Sequence, residues 1–144
     1  MNRFTANVKA IENHEIVKHI ILEIDGTILK TIISKVPAWV AEGESVSVAF
    51  RELSVCIGTS CEGKVSIENR LSAVLETHRS KNSLTELVLR SRIGTVVALM
   101  TEDSFHELEL KDGDELIMML RGIDITLEPH FGRLDKAMGM KVAN

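Results

Sequence analysis

Asn2-Arg3-Phe4-Thr5-Ala6 is answered by Asn69-Arg70-Leu71-Ser72-Ala73, 67 positions further on (69 − 2). A second pair of landmarks follows in the same order, Gly26-Thr27-Ile28-Leu29 and Gly94-Thr95-Val96-Val97, at an offset of 68. Glu42-Gly43-Glu44-Ser45-Val46 then matches Asp112-Gly113-Asp114-Glu115-Leu116, and Arg51-Glu52-Leu53-Ser54-Val55 matches Arg121-Gly122-Ile123-Asp124-Ile125, both at 70. Four landmarks in one order with so little drift mark two copies of one module. A connector two residues longer in the second copy accounts for the step from 68 to 70. The copies divide the chain into residues 1–60 and 61–130, joined through Gly58-Thr59-Ser60-Cys61-Glu62-Gly63, which is small, polar and bounded by glycine. Residues 131–144 lack strand alternation and read as a mobile or docking tail.

Within each copy, short runs rich in Val, Ile and Leu predict strands. In the first they cover Thr5 to Ile11, His19 to Ile24, Thr27 to Ile33 and Ser45 to Phe50. In the second they cover Ser72 to Thr77, Leu84 to Arg90, Thr95 to Met100 and Glu115 to Leu120. Asp25-Gly26 sits between two runs as a hairpin signal, because both residues tolerate positive φ. Arg92-Ile93-Gly94 takes that position in the second copy. Thr101, followed by Glu102 and Asp103, predicts a capped helical turn between the third and fourth strands, with Phe105, Leu108 and Leu110 turned inward. Ser34 to Val40, with Pro37 at a helix-opening position, predicts a shorter version in the first copy. The expected fold is all-β with one short helix per repeat, as two tandem small OB-like antiparallel barrels.

Composition narrows the function. At 44% hydrophobic and 26% charged, the chain is an ordinary globular protein. No run of 18 apolar residues is long enough to span a membrane, and the N-terminus has no signal-peptide core, so a cytoplasmic location is expected. A net charge of −4 and 3% aromatic residues speak against membrane surfaces and against direct nucleic-acid binding, which needs positive charge and stacking rings.

Chemistry-bearing motifs are scarce. Cys56 and Cys61 read as reduced spectator thiols. His14, His19, His78, His106 and His130 show no HExxH or paired Cys/His spacing, so no metal site is expected. Asp112-Gly113-Asp114 is too short for an EF-hand and reads as a turn. Met100, Met118 and Met119 lie in strands and read as core. No phosphate loop, nucleophile elbow or marked carboxylate pair is present, so no enzyme and no organic cofactor are expected.

Ser66-Ile67-Glu68-Asn69-Arg70-Leu71 resembles the Ser-Ala-Arg-Asn opening of the molybdate-binding Mop, or TOBE, domain. Thr101 to Leu116 resembles that family's helical connector, and Arg121-Gly122-Ile123-Asp124-Ile125 stands where the family has a Lys, small residues and a closing strand. The likeness covers Ser66 to Leu127 well and Met1 to Ile57 more loosely, so the whole resembles a tandem, or di-Mop, molbindin. The resemblance implies a molybdate or tungstate oxyanion held at contacts between barrels, often from different subunits. It further implies a homo-oligomer, dimer or trimer, that stores, buffers or senses the ligand. The other reading is a TOBE module that has lost its ligand and docks on a molybdate transporter ATPase or a transcription regulator.

A dianion taken out of water must be met by several donors, from backbone N–H groups, hydroxyls and cations. Ser66 matches the family Ser and can donate to an oxyanion or bond the backbone at a strand start. Asn69, whose copy is Asn2, matches the family Asn as a ligand contact or a structural turn residue. Glu68 replaces the family Arg: it points away, Arg70 substitutes for the missing cation, or the site is lost. Arg121 and Arg51 stand at the family Lys and keep its charge, whether as ligands or as exposed rim residues. Gly122 offers an unobstructed N–H, whereas its counterpart Glu52 adds a negative charge. These features favour one kind of site, around Ser66 and Arg121, over two equivalent kinds.

Overall fold

Alternation of apolar and polar residues leaves one face of each strand to be buried, and ten strands result. The computed structural model describes residues 1–60 and 63–130. In chain order the strands are β1 (Asn2–His14), β2 (Val17–Ile24), β3 (Thr27–Ile33), β4 (Ser45–Phe50), β5 (Cys56–Gly58), β6 (Asn69–Lys81), β7 (Leu84–Ser91), β8 (Gly94–Thr101), β9 (Glu115–Leu120) and β10 (Thr126–Pro129). One helix, α1 (Glu102–Leu108), precedes β9, and 3-10 turns at Glu52–Ser54 and Gly122–Asp124 follow β4 and β9. The strands are all antiparallel and form two curled five-stranded sheets, ordered β10-β4-β1-β2-β3 and β5-β9-β6-β7-β8.

The sheets have one plan. Asn7 faces Glu23 and Ser45, just as Val74 faces Arg90 and Glu115. Each long first strand carries one register shift, between Val8 and Ala10 and between Leu75 and Thr77. Such a bulge adds local twist and bends a strand toward closure. Register also corrects the alignment of the copies. His19 pairs with Ile32 and Glu86 with Leu99, so the offset stays at 67 through the third strand. Thr27 is therefore equivalent to Gly94, not Thr95, and the connector of the second copy is longer by three residues rather than two. The extra length makes α1, whose Thr101 cap accepts from the Ser104 N–H (3.2 Å). The shorter Ser34–Val40 stretch forms turns and no helix, closed by the Val40 N–H on the Pro37 carbonyl (3.0 Å).

The fifth strand of each sheet comes from the other copy. β5 pairs with β9, and β10 pairs with β4. One apolar core runs through both sheets, from Ile20, Leu22 and Phe50 to Leu75, Leu87 and Leu116. Two buried asparagines fix how the sheets meet. The Lys30 N–H donates to Asn69 Oδ1 (2.7 Å), and Asn69 Nδ2 donates to the carbonyls of Lys30 (2.8 Å) and Leu120 (3.0 Å). Reciprocally, the Val97 N–H donates to Asn2 Oδ1 and Asn2 Nδ2 donates to the Val97 carbonyl, both at 2.9 Å. Each carboxamide pairs like a peptide group with an edge strand, β3 or β8, of the other sheet.

Truncating either side chain strands buried backbone groups, which is the costly way to lose a hydrogen bond. Asn69→Ala should destabilise the chain by about 3 kcal/mol and Asn2→Ala, with two bonds instead of three, by less. Urea unfolding of both variants checks the order; an equal or reversed pair of losses contradicts the clamp.

Candidate functional site

The 3-10 turn after β9 packs against β3. Thr31 Oγ1 donates to the carbonyls of Gly122 (3.1 Å) and Ile125 (2.9 Å). A Cβ on Gly122 would come within 2.9 Å of the Lys30 carbonyl oxygen, so only glycine fits this approach. The Gly122 N–H is not free for a ligand. It donates to Glu68 Oε1 at 2.8 Å, and this bond, aided by nearby Lys30 and His19, holds the Glu68 carboxyl below its ordinary range. Glu68 does not point away from this turn: its carboxylate accepts from the N–H that was expected to serve an oxyanion.

The other expected residues are dispersed. Asn69 is the clamp described above, and both of its amide hydrogens are engaged by backbone carbonyls, which leaves it no donor for an oxyanion. Arg121 is exposed and pairs with Asp124 (2.9 Å). Arg51 and Ser66 are exposed and have no polar partner among the described residues. At the Glu68-equivalent position, Met1 donates its amino group to Glu52, the counterpart of Gly122, and lowers that carboxyl in turn.

Arg70 has a different setting. With Gly26, Thr27, Leu71, Ser72 and Arg92 it lines a hollow of about 420 Å³ where the β2–β3 turn of one sheet meets β6 of the other. The hollow shares Ser72 and Arg92 with a wider groove of about 660 Å³. Neither Arg70 nor Arg92 has a carboxylate partner among the described residues. Thr27 Oγ1 is buried and has no hydrogen-bond partner. Two cations thus line one recess, and the Thr27 hydroxyl lies buried in its wall.

The second copy of this arrangement is chemically opposite. Arg3, equivalent to Arg70, pairs with Glu128 (3.1 Å). By register Glu128 corresponds to Gly58, so the strand that crosses over beside Arg70 brings no carboxylate. Asp25 stands where the other side has Arg92. Phe4, in place of Leu71, lies over Gly94, where a Cβ would meet its ring at 2.9 Å. Arg92 and Thr27 were not among the residues singled out from sequence, because only the packed turns bring them beside Arg70.

No protein-family model matches the chain, and no curated protein matches it by sequence. Among solved structures, it is similar to the cytoplasmic molybdate-binding protein ModG in a molybdate-bound crystal form. The TM-score is 0.83 at 19% identity, over 90% of this chain and 96% of that one. The two proteins share a fold. No helix among the described residues is long and apolar enough to cross a membrane.

The Glu68 contact carries a pH signature. A folded-state pKa depressed below 4.5 gives stability that is present above the unfolded value and is lost as pH falls through the folded one. The difference in thermal midpoint between the native chain and Glu68→Gln should therefore shrink on acidification below about pH 4.5. A difference that stays constant from neutral to acid pH would mean that the Gly122 N–H does not hold the charge.

Proposed function

We propose that this chain binds a tetrahedral oxyanion of the molybdate or tungstate class, without catalysis, in the recess between its two sheets. The observation that carries this reading is that Arg70 and Arg92 line one hollow and neither has a carboxylate partner among the described residues. Both guanidiniums are exposed to solvent, and a bound anion would give them charge-assisted acceptors in place of water. The mirrored position, with Arg3 neutralised by Glu128 and Asp25 nearby, repels such a ligand, so one kind of site per chain is expected. The shared fold with ModG supports the same ligand class. Two copies, residues 1–60 and 61–130, each complete the other's sheet in this reading. The residue 131–144 tail lies outside the described residues, as does Cys61.

Arg51 and Ser66 face outward and can reach an oxyanion only across a contact with another chain, which is how a homo-oligomer enters the proposal. Arg121 and Gly122 contribute once Glu68 leaves. A cytoplasmic role in storage or sensing follows from the ligand class. A second reading is favoured by one observation, the Glu68 carboxylate on the Gly122 N–H. A module whose donor is permanently taken would serve instead as a ligand-free oligomerisation or docking unit for a transporter ATPase or regulator.

Calorimetric titration with sodium molybdate separates the two. The native chain and Arg3→Ala should bind alike, whereas Arg70→Ala and Arg92→Ala should each weaken binding at least tenfold, as loss of a charge-assisted bond of about 1.5–3 kcal/mol requires. Silence of the native chain toward both molybdate and tungstate would favour the docking module. Equal weakening by Arg3→Ala would remove the assignment of the recess.

A further inference from the structure

The far end of the β1–β2 hairpin gathers three metal-ligating side chains. Glu12 lies opposite His19 in the ladder, and His14 is two residues further along the same face of β1. Their ligand atoms, a Glu12 carboxylate oxygen and one ring nitrogen from each histidine, all lie within 4.8 Å of one another. Glu12 Oε1 is 3.3 Å from His14 Nε2 and 3.7 Å from His19 Nδ1. Ligands held about 2.0–2.1 Å from a tetrahedral zinc ion stand roughly 3.3 Å apart, so two of the three edges already approximate that polyhedron.

A second observation points the same way. His19 Nδ1 is buried and makes no hydrogen bond, since 3.7 Å to Glu12 is too long for one. A buried ring nitrogen without a partner is an available lone pair when the imidazole is neutral. The two rings lie 4.2 Å apart, tilted by 36°, with the ligand atoms gathered at the carboxylate. Lys18, the neighbouring cation, belongs to the opposite face by alternation, and its Nζ donates to the Glu15 carbonyl (2.7 Å). The side chains of Glu12 and His14 are about half exposed, which leaves an entry path and room for water as a fourth ligand.

The repeat supplies an internal comparison. At an offset of 67, Glu12, His14 and His19 become Arg79, Lys81 and Glu86, and Arg79 pairs with Glu86 (3.4 Å). One hairpin closes this face with an ordinary ion pair; the other carries two imidazoles and a carboxylate. We propose that Glu12, His14 and His19 bind a divalent transition ion of the zinc class, with solvent completing the shell, and that the ion staples the tip of this hairpin. Imidazole and carboxylate together suit Zn²⁺, Co²⁺, Ni²⁺ or Cu²⁺ in preference to Mg²⁺ or Ca²⁺.

The test is calorimetric titration of the chelator-stripped full chain with zinc chloride, followed by cobalt(II) absorption and histidine ring resonances. One ion per chain is expected, with His14 and His19 rings shifted and a four-coordinate cobalt spectrum. His14→Ala and Glu12→Gln, both at exposed positions, should each weaken binding by at least about tenfold. His78→Ala, which removes the separate His78–Asp112 pair, should leave it unchanged. Absence of zinc binding overturns the site, as does binding that survives His14→Ala and Glu12→Gln or vanishes only in His78→Ala. Molybdate titration of the same variants reads the other proposal independently, because none of these residues lines the Arg70 recess.

Discussion

Open sheet edges set the terms of this structure. Each five-stranded sheet ends on a strand, β3 or β8, whose outer backbone groups would otherwise invite pairing with another chain. The solution is a carboxamide used as a peptide. Asn69 meets both polar groups of Lys30 on β3, and Asn2 meets both of Val97 on β8. The 3-10 turn at Gly122 then covers the next residues of β3, with Thr31 bonding two of its carbonyls. Because each edge is covered by the other copy, and because β5 and β10 cross over, neither copy is complete alone. The interface between the sheets is thus a consequence of edge protection, and the recess beside Arg70 lies along it.

Such an arrangement is symmetric in backbone and not in charge. The pair at the Asn-flanking positions shows this most plainly. In one copy an amino group, from Met1, meets a carboxylate at Glu52; in the other a carboxylate, Glu68, meets a backbone N–H at Gly122. The same gap is closed with opposite polarity. Gly122 also admits the close approach to Lys30 that any side chain would block. An N–H in a concave turn is a natural anion donor, and here an anion from the chain already holds it.

Much of the fold was legible because its signals are local. Alternation marked eight strands, Asp25-Gly26 and Arg92-Ile93-Gly94 marked hairpins, although Gly94 already belongs to β8, and Thr101 marked the start of the helix. What escaped was non-local or short. β5 and β10 span three and four residues and make sense only as edges of the other copy's sheet. The Gly-Thr pairs at 26 and 94 invited an alignment that the ladder places one residue out, since similarity of letters does not see register. Pro37 suggested a helix start, but the stretch before β4 closes one turn, from the Val40 N–H to the Pro37 carbonyl, and does not continue as a helix. In the site, Arg70 was visible through the repeat, whereas Arg92 and Thr27 join it only through packing. His14 and His19 gave no metal signal by spacing, and Glu12 was not singled out, because a ligand set spread over a hairpin has no fixed linear signature; its rule is opposition across the turn at Glu15 and Ile16.

Duplication explains why asymmetry is informative here. The two sheets offer equal backbone sites, and the fold constrains the buried ones alike: Asn2 and Asn69, Leu22 and Leu89, Leu29 and Val96 are apolar or clamped. Half-buried and exposed positions are held less tightly, and it is there that the two halves differ. At the recess, losing a carboxylate at Gly58, gaining a cation at Arg92 and shrinking Phe4 to Leu71 all act in one direction, toward room and positive potential on a single side. Arg70 and Arg92 are both exposed, so water screens their mutual repulsion, yet neither meets a carboxylate among the described residues. In a chain of net charge −4, where carboxylates are plentiful, two such cations on one hollow are the feature that the proposed anion would account for.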